Sequence, residues 1–151
     1  MTELIPAINE IIKYGLQANL TIAGRDKLLE KSLVKIYSLY FDIKFKPDDT
    51  EFPDFDKLNL PPIRKNVESN FPDFGFYKTA IDITDIYNEV DNGTGDAMDD
   101  LTDIIIDLLE VKWRMENNSL EDGLSFFQLI FYGHTQQHVL GLLNYMKQKN
   151  G

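Results

Sequence analysis

No cysteine occurs among the 151 residues, which excludes disulfides, thiolate zinc sites and cysteine nucleophiles together. Positive charge is also in deficit: 15 Lys and Arg stand against 25 Asp and Glu, a formal net charge of -10 at pH 7. A field of that sign repels phosphate backbones and anionic bilayers, so neither nucleic acid nor a membrane is expected as a partner. No segment approaches the roughly 18 consecutive apolar residues of a membrane span. The start, Met1-Thr2-Glu3-Leu4-Ile5-Pro6, has neither the basic region nor the apolar run of a secretory signal. The expected setting is therefore the cytoplasm, where the triplets Asn19-Leu20-Thr21 and Asn117-Asn118-Ser119 carry no sugar. A glycine-rich phosphate loop and a serine nucleophile elbow are missing as well.

What remains is an apolar, aromatic chain. Hydrophobic residues make up 43% and aromatics 12%, with ten Phe and seven Tyr, which is too apolar for disorder. The length suits one domain over residues 1–151 with a sizeable core.

Apolar residues at Leu4, Ile8, Ile11, Ile12, Gly15 and Leu16 predict an amphipathic helix over residues 2–18, with Pro6 harmless in its first turn. After a turn at 19–24, Leu28, Leu29, Leu33, Ile36, Tyr37 and Tyr40 predict a second helix over 25–43. In residues 44–62, Pro47, Pro53, Pro61 and Pro62 forbid a helix, while Phe45, Phe52 and Phe55 predict a loop pinned to the core by its aromatics. A short helix is expected over residues 63–70 and an irregular or briefly extended stretch over 74–87. Asp91-Asn92-Gly93-Thr94-Gly95-Asp96 reads as a turn; it lacks the ligand pattern of a calcium loop, because glycine takes the third position and no glutamate closes it. A third long helix is expected over 96–117. Ser119, with Asp122 three residues on, caps a last helix running to Lys149. The expected fold is all-α, a bundle of about four main helices with a long proline- and aromatic-rich loop between helices 2 and 3.

Two features carry chemistry. Asp96, Asp99, Asp100, Asp103, Asp107 and Glu110 recur every three or four residues, so a helix stacks them on one stripe opposite Leu101, Ile104, Ile105 and Leu108. The only two histidines, His134 and His138, lie four apart on the last helix, which puts both imidazoles on one face. Folding the helical hairpin about Asn118 sets His134 level with Asp103 and His138 level with Asp99. The acidic stripe is centred away from the apolar face, so only its flanking members reach the histidines, and Glu10, beside Tyr14, is a further candidate ligand. Two imidazoles plus carboxylates suit either a divalent transition metal, with His134, His138, Glu10, Asp99 and Asp103 as the candidate ligands, or a structural pair hydrogen-bonded to tyrosine or carboxylate groups that holds the helices in register. Zincin chemistry is excluded, since Thr135 stands where its catalytic glutamate belongs.

The run Asp99-Asp100-Leu101-Thr102-Asp103-Ile104 with Asp107-Leu108, then His134 and His138 with Leu142-Leu143, and more weakly Asn9-Glu10 and the stretch 33–40, resembles an uncharacterised family of small bacterial helical proteins, domain of unknown function 5063. That family tends to show an aromatic after the Asp-Ile pair and Trp-Gly between the histidines, where this chain has Ile105 and Thr135-Gln136. The resemblance implies an all-α fold and a bacterial source, and it brings no activity with it.

Two functions follow as expectations. The first is a protein-interaction or accessory module that offers Asp96, Asp100, Asp107 and Glu110 to a basic protein surface. The second is a metal-binding or metal-dependent protein built on the histidine pair.

Overall fold

A computed structural model describes residues 3–89 and 92–151. Asp91, the first residue of the expected turn, and Thr2, the expected start of the first helix, lie outside the described residues. In chain order the elements are α1 (Leu4–Leu16), α2 (Arg25–Tyr40), α3 (Ile63–Asn70), β1 (Phe76–Ala80), β2 (Asn92–Asp96), α4 (Ala97–Asn117), α5 (Leu120–Ile130), a π-helical turn (Phe131–Thr135) and α6 (Gln136–Lys149). The stretch from α5 through the π turn to α6 is one continuous helix. Among the described residues no helix is long and apolar enough to cross a membrane.

The molecule is mostly helical, and it departs from an all-α four-helix bundle in two ways: α3 joins the packing as a further helix, and β1 pairs antiparallel with β2. The hairpin register sets Phe76 opposite Asp96 and Tyr77 opposite Gly95. The glycine-rich segment expected as a turn is thus a strand. The physical reason lies across the ladder, because a Cβ on Gly95 would come within 2.6 Å of three carbons of the Tyr77 ring. Here the missing side chain makes room for the aromatic partner that holds the strand in place.

Helix α4 is the centre of the core. Leu101, Ile104, Ile105, Leu108 and Val111 are fully buried, and α1, α3, α5 and α6 all pack against this helix. It begins where Asp96 accepts from the Met98 and Asp99 N–H groups at 3.0 and 3.4 Å, and it ends before Ser119, whose hydroxyl accepts from Asp122 N–H at 3.0 Å and caps α5. Helix α3 is short and polar, yet two of its asparagines are buried: Asn66 donates to Gly15 O at 2.7 Å, and Asn70 to Tyr14 O and Gln17 O at 2.8 Å each. They satisfy the carbonyls left orphaned at the end of α1. The proline-rich loop is pinned by Phe55 against Trp113, with ring centroids 5.6 Å apart, and by Ser119 Oγ donating to Asp48 at 2.7 Å.

Candidate metal centre

Asp103 of α4, His134 of the π turn and His138 of α6 meet at the surface edge between α4 and the last helix. One donor atom from each lies within 4.8 Å of the others. His138 Nε2 is 3.3 Å from Asp103 Oδ2 and 3.3 Å from His134 Nε2. Metal–ligand bonds of about 2.0–2.1 Å at tetrahedral angles set neighbouring donors about 3.3 Å apart, so both separations suit one small ion.

The far side of each ring is fixed by a buried carboxylate. His134 Nδ1 is 2.7 Å from Asp107 Oδ2, and His138 Nδ1 is 2.8 Å from Asp100 Oδ1. Both aspartates are only 7% exposed. A carboxylate only accepts, so each Nδ1 carries the hydrogen, and a ring without a second hydrogen turns its Nε2 lone pair toward the other. Two lone pairs at 3.3 Å repel unless a proton or a cation lies between them. Each aspartate is held in turn by a hydroxyl. Thr135 Oγ1 donates to Asp107 Oδ2 at 2.7 Å, and the Tyr77 hydroxyl donates to Asp100 Oδ2.

The electrostatics agree with this geometry. The Asp100 hydrogen bond lifts the His138 pKa above its ordinary value of 6.5, against the opposing effect of burial, and the charges of Asp100, Asp103 and Asp107 add to the lift. Burial pushes the Asp103 carboxyl up; the two imidazoles pull it back, and Asp99 and Asp107 push it further. Burial also raises the Tyr77 phenol, as do the hydrogen bond to Asp100 and that residue's charge, which keeps the hydroxyl a donor.

Of the expected ligands, the structure brings together His134, His138 and Asp103. Glu10 is 59% exposed and pairs with Lys13 at 2.7 Å on α1, outside this cluster. Asp99 turns to Arg64 of α3 at 3.1 Å. The expected acidic surface is divided among other tasks. Asp96 caps α4 and meets Arg64 at 2.9 Å; burial pushes its carboxyl up, but Arg64 and the helix N–H groups bring it below the usual range. Asp100 and Asp107 back the imidazoles, and Glu110, 5% exposed, pairs with Arg114 at 3.0 Å and Lys57 at 3.5 Å. Asp100, Asp107 and Glu110 are buried, because α4 is packed on both sides, by α1 and α3 and by the last helix, while Asp99 stays exposed.

The hairpin register also differs from the expected one. His134 meets Asp107 rather than Asp103, and His138 meets Asp100 and Asp103 rather than Asp99. Two effects shift the pairing in the same direction. Helical side chains lean toward their own N-terminus, so in an antiparallel pair each reaches a partner about one turn later in the chain than a level count gives. The π turn then inserts an extra residue before His134 and Thr135 complete it.

No family model, curated protein or solved structure matches the chain.

Proposed function

We propose that this protein binds a divalent transition metal through Asp103, His134 and His138, with Asp100 and Asp107 orienting the two imidazoles from behind. One observation carries the reading: two Nε2 atoms 3.3 Å apart, each on a ring whose Nδ1 is committed to a buried carboxylate. Carboxylate–imidazole pairs of this kind fix the tautomer and raise the basicity of metal-ligating histidines. Three protein ligands at an accessible edge, with the His134 side chain 45% exposed, leave a coordination position for water or substrate, as in catalytic rather than structural sites. Two nitrogens and one oxygen favour zinc, manganese, iron(II) or nickel, and water bound to such an ion is acidified, the starting point of metal-assisted hydrolysis. The acidic docking module ranks second, since most of the carboxylates it requires have internal partners.

Thermal melting of tag-free protein with and without zinc, manganese or nickel, at pH 5.5 and 7.5, tests the proposal. Folding raises the pKa of His138 above 6.5, so its stabilising contribution is complete below 6.5 and is lost as pH rises through the folded value. The raised Asp103 carboxyl acts in the same direction, costing stability once pH exceeds its ordinary 3.8. Melting of the metal-free protein should therefore fall between pH 5.5 and 7.5. Metal must displace the proton, so the metal-induced rise should be larger at pH 7.5. If none of the three ions moves the transition at either pH, the proposal is wrong.

A further inference from the structure

We infer that Tyr77 is a positioning residue for His138, acting through Asp100, and that the β1–β2 hairpin is thereby part of the metal centre; this rests on the metal-binding reading above. Asp100 uses one carboxylate oxygen for His138 Nδ1, at 2.8 Å, and the other for the Tyr77 hydroxyl. With both oxygens engaged the carboxylate cannot rotate, and the imidazole plane it holds is fixed. The tyrosine in turn is held from two sides where a side chain is missing. Gly95 stands opposite it across the hairpin, leaving room for its ring. Gly141 of α6 lies one turn beyond His138, and a Cβ there would come within 2.6 Å of the Tyr77 hydroxyl oxygen and 3.6 Å of Asp100 Oδ2. Tyr145 closes the ring's other flank, with centroids 5.4 Å apart. The second histidine also has a hydroxyl behind its carboxylate, Thr135, but Thr135 and His134 share one oxygen of Asp107. There the hydroxyl comes from the same helix as the ligand. In the Tyr77 chain it comes from outside the helical body, so the hairpin must be docked for His138 to be held.

Tyr77→Phe removes one oxygen and keeps the ring between the glycines. Two readouts apply. In metal-free protein, proton NMR of the ring N–H resonances should show the His138 Nδ1 proton broadened or exchanging faster, with that of His134 unchanged as an internal control. With cobalt(II) as the probe, the visible spectrum of the loaded protein should change, and affinity should fall about 10- to 100-fold. Gly141→Ala, which crowds the hydroxyl without altering the tyrosine, should lower affinity in the same way if Tyr77→Phe proves poorly folded. An unchanged His138 proton together with cobalt affinity within about twofold of wild type would overturn the inference, since loss of a positioning group in the outer shell must show in one or the other. If the wild-type protein takes no cobalt while the His138 proton still responds to Tyr77→Phe, the metal reading fails and the positioning role stands.

Discussion

With zinc at about 100 times its dissociation constant, the wild-type protein is expected to gain about 2.7 kcal/mol of stability, and the double variant His134→Ala/His138→Ala none. For a chain of this size each kcal/mol moves the melting temperature by about 2–4 °C, so a rise of roughly 5–10 °C should disappear. Each single variant should also lose the rise, because the remaining imidazole and Asp103 cannot replace a missing third ligand. The two variants should differ without metal. His138 is the more buried, its side chain 22% exposed against 45% for His134, and it meets both Asp100 and Asp103. Removing it leaves the buried Asp100 oxygen without its partner, at a cost of about 1–3 kcal/mol. His134→Ala takes a partner from Asp107, but Thr135 still donates to the same oxygen, and the cost should be smaller. Calorimetric unfolding of the four proteins with and without zinc checks both halves. A double variant that still gains stability from zinc would move the binding site elsewhere.

The helical part of this architecture was legible from local signals. Apolar periodicity located α1, α2, α4 and the last helix, the Ser119 cap marked the start of the last one, and residues 63–70 form α3 as expected. The face shared by His134 and His138 could be read because i, i+4 spacing acts within one helix, and the structure brings Asp103 of the acidic stripe beside them. What was hidden depends on contacts between distant segments. The β hairpin has glycines where strand propensity would ask for branched residues, and the Tyr77 ring across the ladder explains the one at Gly95. Glu10 looked accessible to the histidines on helix phase alone, but Lys13, one turn away, holds it. The burial of Asp100, Asp107 and Glu110 required knowing that α4 is covered on two sides. The π turn did leave a trace: Phe127, Phe131, Thr135 and Val139 are all fully buried at successive steps of four. In a regular α-helix each such step drifts by about 40°, so three of them would carry the face well off the core. One wider turn absorbs the drift, and π turns of this kind are frequent at functional sites.

Phe131→Ala should produce the largest loss of stability of the single substitutions considered, about 3–5 kcal/mol out of the roughly 5–15 kcal/mol available to a domain. Phe131 opens the π turn and is fully buried. Its ring stacks on Tyr40 with centroids 4.7 Å apart and meets Tyr37 and Phe127 edge-on at 5.5 and 5.6 Å, so truncation leaves a cavity lined by three aromatics too rigid to collapse into it. The consequence reaches the proposed metal site unevenly. His138 sits on α6, whose Val139, Leu142 and Met146 keep their own place in the core. His134 belongs to the turn that Phe131 anchors, and loosening that turn frees it from Asp107. Metal affinity should therefore fall by more than about tenfold even under conditions where the variant remains folded, because an outer-shell contact worth that much is lost. Phe131→Leu, which fills most of the cavity, should recover most of the stability and most of the affinity together. Urea unfolding and zinc titration of the three proteins decide the matter. If Phe131→Ala is destabilised as expected but binds zinc like the wild type, the π turn is a packing device with no part in placing His134.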